Sequence, residues 1–460
     1  MSDAVQCWQN VSPGDLSVEL PEVCATPVES VIEAAANVTR TWSRTPMDER
    51  FAHLREAQVR LTAEKDVLAR AIAVETGKPL TEARGEVGAV IAKFDLTIQD
   101  AGTELPRRAI ADGPHPAWVR RVSRGPAVVV GPFNFPLHLG NGAIVAHLAA
   151  GNPVIFKPSP LAAVVAQMYG NLMTPCFPNG VFQIVQGGAP EGRAVCLDPR
   201  VRAVCFTGSV PVGRALAREL AEDFSKDLAL ELGGRNATIV CADADLDLTA
   251  RATADAISLT CGQRCNATSR ILVAEPIRNR FADKLLVEMN RYLPGDPLLE
   301  KTTLGPLINE TAMRRFEEIA NQPADWLQRP ESVWEADGKR GYYVKPGIRM
   351  GTARPDLESF VPIVDLEEFH DFDDAVSRNN ASPFGLAASV FTRDEAVFWR
   401  FADEIRAGNI YANLPTTFSP STLPFGGLGL SGNGHPGGRG FVRFCSVEQA
   451  IQLGKDTFTC

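Results

Sequence analysis

The stretch Pro126–Ser159, "PAVVVGPFNFPLHLGNGAIVAHLAAGNPVIFKPS", decides the fold. It reads as an apolar run, a Gly/Pro-punctuated turn, an Ala/Leu-rich helix, and a second apolar run that ends at Lys157. Two strands joined through a helix run parallel, because the crossover returns the chain to the same end of the sheet. The pattern continues in "GVFQIVQGG", "AVCFTGS" and "NATIVCADA", short β-rich runs separated by helical stretches. Strands alternating with helices predict a parallel α/β sheet, with ligands bound beyond the carboxyl ends of its strands.

Upstream of this unit the chain reads mainly as helix. "PVESVIEAAANVTRTWSRTPMDERFAHLREAQVRLTAEKDVLARAIAVETGKP" carries apolar residues at three- and four-residue spacing, with a restart at Pro46 and a stop at Gly77. "PAWVRRVSRG" is an exposed strand with charge on one side. Downstream, a second series of strands begins near Leu232 with "SRILVAE", "SFVPIVDLEEF", "GLAASVFT" and "GNIYANL". The end, "RGFVRFCSVEQAIQLG", alternates like a strand able to pair with a neighbouring subunit. At 460 residues the chain exceeds the ~250–300 at which one core stops growing, so two domains with a cleft between them are expected.

Composition narrows the partners. Hydrophobic residues make up 45% and charged residues 22%, and no apolar run is long enough to span a bilayer. The net charge of −9, without a Lys/Arg block, argues against nucleic acid or an anionic membrane and favours a small molecule. The N-terminus does not read as a secretory signal, and the ten cysteines (7, 24, 176, 196, 205, 241, 261, 265, 445 and 460) form no disulfide framework or zinc spacing. Reduced thiols and a cytoplasmic location are therefore expected.

Four places carry chemistry. In "FTGSVPVGRALA", Gly208 and Gly213 flank Ser209 between a strand and a helix, where N–H groups and the helix dipole can receive a phosphate; an ordinary helix start has the same look. Lys157 ends a buried-looking strand of the same sheet and either faces that nucleotide or is a solvated strand end. Glu231, in "LALELGG", is either a carboxyl raised by a dry cleft into a general base or a solvated edge residue. In "CGQRCNATSR", Cys265 sits in a polar loop beside Arg264, where peptide N–H groups and a cation favour thiolate, whereas Cys261 adjoins an apolar helix and packs in a core. His138 and His147 read as helix-packing residues.

Taken together, "GPFNFP", "FTGS", "ELGG", "GQRC", "ESFVPIV" and "PFGGLGLSGNG" occur in the order and spacing of the aldehyde dehydrogenase superfamily, and the resemblance covers the chain from about Pro27 onward. "FNFPLHLGNGAIVAHLAAGNPVIFKPS" and "LPFGGLGLSGNGHP" are similar to the succinylglutamate-semialdehyde dehydrogenase group. The resemblance implies an α/β fold of two domains with parallel sheets: a Rossmann-like cofactor domain over 1–230, a catalytic domain over 231–424, and a C-terminal segment, 425–460, completing the first. A small β ribbon from about 101–124 and 439–453 would pair subunits into a homodimer or homotetramer.

The implied reaction is NAD- or NADP-dependent oxidation of an aldehyde to an acid, with N-succinylglutamate 5-semialdehyde of arginine catabolism as substrate, or another semialdehyde or aliphatic aldehyde. Cys265 matches the nucleophile, Asn134 the oxyanion donor and Glu231 the base that hydrolyses the thioester. Glu358, with Phe360 and Phe133 beside it, matches the nicotinamide-ribose site; Lys157, Gly208, Ser209 and Gly213 match the adenosine and pyrophosphate site. No metal is implied. Pro160 stands where many NAD-preferring relatives have a glutamate, which leaves both nucleotides open, and Leu414 stands where the succinylglutamate group carries a lysine. Glu231 favours hydrolysis over transfer to CoA, and the joint presence of these residues argues against a non-catalytic structural or binding member of the fold.

Overall fold

The computed structural model describes residues 6–111, 113, 115–351 and 358–454. The Pro126–Ser159 unit forms as its sequence dictates: strand Ala127–Val130, helix His138–Ala149 and strand Val154–Lys157, the two strands parallel with Val130 opposite Lys157. Gly131 and Gly140 let the turn and helix close over the ring of Phe156, since a Cβ at either would lie within 2.9 Å of it.

Around this unit the first sheet has six strands in the order 432–433, 227–231, 203–207, 127–130, 154–157, 182–184, all parallel except the edge pair Gly432–Asn433. Helices Val28–Arg44, Met47–Ala63, Lys65–Thr76 and Leu80–Glu104 precede it. Leu54, Leu68, Ile72 and Phe94 from these helices share one core with Ile144, Phe156, Tyr169 and Phe182. The second sheet has seven strands in the order 326–328, 347–350, 363–369, 268–274, 236–240, 387–391, 409–412, parallel except for its first strand. Its core, around Ile239, Leu272, Phe281, Leu366 and Phe401, is separate from the first. Thus "NATIVCADA", which follows the first series in sequence, belongs to the second sheet. The chain returns from the second sheet to hydrogen-bond the edge of the first: Leu232 N–H donates to Ser431 O (3.0 Å), and Asn433 Oδ1 accepts from Leu230 N–H (2.9 Å).

Strands Arg108–Ile110, Ala117–Ser123 and Ser446–Gln452 form a three-stranded antiparallel ribbon, with Ser123 opposite Ser446. The ribbon begins later than its sequence suggests at both ends, because helix Leu80–Glu104 continues through Ala101 and a short 3-10 turn occupies Phe441–Arg443. No helix among the described residues is long and apolar enough to cross a membrane.

The upstream chain is mainly helical, as expected, with short strand pairs over residues 7–24 ahead of the helices. The expectation of only reduced thiols fails: antiparallel pairing sets Cys7 opposite Cys24, and the two form a disulfide. One pair separated by 17 residues leaves no repeating spacing to read in sequence. Cysteines 176, 196, 205, 241, 261, 265 and 445 are free. Cys460 and the tail from residue 455 onward lie outside the described residues.

Candidate active site

The loop that presents Cys265 begins where helix Leu246–Ser258 ends. Thr260, Cys261 and Gly262 all take positive φ (55°, 55° and 67°), a turn that costs free energy at the two non-glycine positions. Glycine is required at 262, where a Cβ would lie 2.6 Å from Pro362 N. Glu82, in the first turn of helix Leu80–Glu104, holds the turn: its carboxylate accepts from Thr260 N–H (3.1 Å), Thr260 Oγ1 (2.8 Å) and Arg264 Nη2 (2.7 Å). Cys261 is buried among Leu304, Phe316 and Val361, as its apolar neighbours predict. Beyond the turn, Asn236 Nδ2 donates to the carbonyls of Cys265 and Ala267, each at 2.8 Å.

Arg264 does not activate the neighbouring sulfur. Its guanidinium pairs with Glu82 and stacks on Phe135 at 4.9 Å. Burial, then the adjacent Glu231 carboxyl, pushes the Cys265 thiol well above its ordinary value, with the Asn266 N–H acting the other way. The expectation that a neighbouring cation favours thiolate is thus overturned, because the cation is spent on a carboxylate. Burial likewise pushes Glu231 up to about 7, with its Cys265 hydrogen bond opposing and Glu358 adding to the rise. Glu231 ends strand Asp227–Glu231, is 2% exposed, and is therefore no solvated edge residue. The Asn134 amide, also buried, donates to Gln263 O at 2.8 Å, which fixes the plane of its NH2 group in the cleft.

Cys265, Glu231, Asn134, Glu358, Phe360, Phe133, Lys157, Gly208 and Ser209 all line one cavity of about 440 Å³. Lys157 is 3% exposed, so the solvated-strand-end reading falls; burial pushes its ammonium down to about 8, and Nζ donates to Pro158 O at 2.8 Å. Ser209 precedes helix Val210–Leu220 without capping it, which leaves its hydroxyl and the helix N-terminus to a ligand. Glu358 accepts from Gly234 N–H (3.1 Å) and sits against Gly233, where a Cβ would overlap its carboxyl. Phe133 and Phe360 meet edge-to-face at 6.1 Å. Gly213 is the exception: it lies outside the cavity lining, and its missing Cβ makes room for Leu232, 2.7 Å away, so that the helix can seat on the sheet.

A second cavity, of about 510 Å³, meets the first at Leu139 and Cys265. Its wall includes the helix face Glu82, Glu86, Ala89 and Lys93, together with Phe135 and Phe418. His147 is fully buried against Cys205 and Asn152, as expected, but His138 differs: it lines this second cavity. Leu414 is exposed and lines neither cavity. Sequence reasoning missed Glu82, Gln263 and Asn236, which place the loop, and Arg315, which lines the first cavity near Glu358. Asn236, directly after "ELGGR", and Gln263, inside "GQRC", lie at recognisable motifs, whereas Glu82 and Arg315 do not.

The Cys265 sulfur, at the junction of two cavities and beside the Glu231 carboxyl, is matched by likeness to known proteins. The aldehyde dehydrogenase family profile matches residues 5–451. The chain belongs to the aldehyde dehydrogenase family. It is 34% identical to N-succinylglutamate 5-semialdehyde dehydrogenase 1 of Caulobacter vibrioides over 90% of this chain and 88% of that one. With the N-succinylglutamate 5-semialdehyde dehydrogenase of Paraburkholderia xenovorans the identity is 35%, over 93% and 89%. The crystal structure of an NAD-dependent aldehyde dehydrogenase from Sinorhizobium meliloti superposes with a TM-score of 0.93 at 29% identity, covering 99% of this chain and 93% of that one. The enzyme is an oxidoreductase whose cofactor is NAD or NADP. The first cavity suits such a group: a buried cation at Lys157, an uncapped helix N-terminus at Ser209 and a carboxyl at Glu358 lie along one wall system.

Proposed function

We propose that this aldehyde dehydrogenase oxidises N-succinylglutamate 5-semialdehyde to N-succinylglutamate, with Cys265 as nucleophile. The observation that carries the mechanism is that Glu231 and Asn134 line the first cavity together with Cys265, which stands where that cavity meets the second. The carboxylate form of Glu231 takes the proton of the Cys265 thiol, and the thiolate attacks the aldehyde carbon. The carbonyl electron pair moves to oxygen, where the Asn134 amide and the Cys265 backbone N–H donate to it, each such donor contributing about 3 kcal/mol. The bound nicotinamide dinucleotide supplies the hydride acceptor. Collapse of the oxyanion leaves a thioester on Cys265; Glu231, having passed the thiol proton to solvent, then deprotonates a water that attacks the thioester, releasing the acid and returning the proton to the Cys265 sulfur. Lys157, Gly208 and Ser209 hold the adenosine and pyrophosphate end, and Glu358 the nicotinamide ribose, with Phe133 and Phe360 beside it. Gly213 serves helix packing instead.

The substrate reading is supported by the names of the curated relatives at 34% and 35% identity. Residues 1–230 with the return segment 425–460 make the cofactor half, and 231–424 the catalytic half. The ribbon pairs copies into a homodimer or homotetramer, with no nucleic-acid or membrane partner. Cytoplasmic location is supported by the seven free cysteines among the described residues, Cys7–Cys24 being an exposed bridge.

The test is the appearance of reduced nicotinamide absorbance, with NAD and NADP in parallel, against N-succinylglutamate semialdehyde, succinate semialdehyde, glutamate semialdehyde and simple aliphatic aldehydes. A kcat/KM at least tenfold above the rest for the succinylated compound is expected. Preference for any of the others overturns the substrate reading.

A further inference from the structure

The second cavity carries an unbalanced positive charge. Besides Cys265, its ionisable lining residues are Glu82, Glu86, Lys93, His138 and Arg264. Glu82 is paired with Arg264, and Glu86 with the buried Lys78. Burial pushes His138 down to about 4, so it is neutral at working pH. Lys93 remains. It is 5% exposed, and Nζ donates to the carbonyl of Gly438 at 2.7 Å, but among the described residues no carboxylate lies within ion-pair distance of it. Asp100, the carboxylate that acts on it from farther off, accepts from Gly440 N–H (2.7 Å) and lies 3.7 Å from Arg439. Burial pushes the Lys93 ammonium down to about 8, so at neutral pH the protonated form still predominates. A buried ammonium without a counter-ion is costly, and a ligand carboxylate relieves that cost.

Its position fits the far end of a substrate. Glu82, Glu86 and Lys93 lie on one face of helix Leu80–Glu104, and from Glu82 to Lys93 the axis advances ~16 Å at ~1.5 Å per residue. Glu82 holds the Cys265 loop, so the reacting carbon belongs at that end. Helical side chains lean toward the N-terminus, which brings the Lys93 ammonium back toward the sulfur. An extended aldehyde carrying a carboxylate eight bonds away spans about 10 Å, at ~3.5 Å per three backbone-like bonds.

We propose that Lys93 is the specificity-determining residue of this enzyme, receiving a carboxylate at the distal end of the aldehyde substrate. The inference rests on the reading that the aldehyde reaches Cys265 through the second cavity. It locates the substrate cation on helix Leu80–Glu104, whereas the succinylglutamate group's lysine position is Leu414 here.

The test compares N-succinylglutamate semialdehyde with the same compound amidated at the succinyl carboxylate, in wild type, Lys93→Met and Lys93→Arg. The quantity read is the ratio of kcat/KM for the acid to that for the amide. Lys93→Met should lower this ratio on the order of 100-fold, chiefly through KM, as loss of a charge-assisted hydrogen bond does, and Lys93→Arg should restore most of it. If Lys93→Met weakens both aldehydes in parallel and the ratio holds, Lys93 only anchors Gly438 and the inference is overturned. Should Lys93→Met fail to fold, wild-type enzyme treated with acetic anhydride decides the matter. Glutarate, but not glutaramide, should protect Lys93 from acetylation read by mass spectrometry; equal protection by both, or by neither, overturns the inference. Poor turnover of the succinylated aldehyde by wild type, with the anion-to-amide ratio still collapsing in Lys93→Met, would reject the assigned substrate and leave the role of Lys93 standing.

Discussion

At the residue scale, the chemistry turns on one shared proton. Cys265 is held as a thiol and Glu231 is raised to about 7, so the carboxylate becomes available as pH rises through that value. The rate of Cys265 acylation should therefore climb with pH through about 7, read as the burst of reduced cofactor, and Glu231→Gln should abolish that limb. Glu231→Gln should also slow steady turnover by 10²–10⁴-fold, the usual contribution of a general base. Cys265→Ala should abolish oxidation while nucleotide affinity, measured by fluorescence titration, stays within about threefold, because the proposed nucleotide-holding residues are others, Lys157, Ser209 and Glu358 along the first cavity. Glu231 and Glu358 also bear on stability. Both have folded values raised above the ordinary 4.5, to about 7, so the folded protein binds more protons than the unfolded chain in that window. Their contribution to stability is thus largest below about 4.5 and declines as pH rises through about 7.

At the element scale, the first turn of helix Leu80–Glu104 sets the loop that carries Cys265. Glu82 satisfies three donors of a loop held in left-handed backbone. Glu82→Ala should lower kcat on the order of 100-fold, the cost of displacing a reacting group by about 1 Å. Nucleotide affinity should hold within about twofold in the same variant, since Glu82 lines only the second cavity. The motifs that present chemistry were readable because each is a short turn between elements, "FNFP", "FTGS" and "ELGG" at the ends of strands and "GQRC" between a helix and strand Thr268–Ala274, where local sequence sets the geometry. Glu82 was not readable. It lies 183 positions before Cys265 and looks like any acidic residue in a helix's first turn, a place that favours carboxylates on its own account.

At the scale of the whole molecule, the second sheet is tied by buried charge. Asp365 accepts from Arg235 Nη2 (2.5 Å), which reaches across from the start of strand Asn236–Val240, and from Arg349 Nε (2.8 Å) on the neighbouring strand Gly347–Met350, and is 1% exposed. Asp365→Ala leaves two buried guanidiniums without that carboxylate and should cost about 3–5 kcal/mol of unfolding free energy in urea titration. The ribbon presents Ile110 and Val447 to solvent at 37% and 40% exposure on its two outer strands. Sedimentation velocity should give a dimer or tetramer for the native chain and a smaller species for Ile110→Glu with Val447→Glu, as expected if these edges are covered by a second copy.

The sequence by itself determined the parallel α/β class, the two cores and the list of residues that could do chemistry, because strand and helix periodicity and turn composition are local properties. The tertiary structure decided which of those residues share a cavity and in which protonation state they rest there. It turned Arg264 away from Cys265, buried Lys157, moved Gly213 into packing, left Lys93 without a carboxylate in ion-pair reach among the described residues and closed the Cys7–Cys24 bridge. Each of these depends on desolvation or on a partner distant in sequence, and both arise only when the chain has packed against itself.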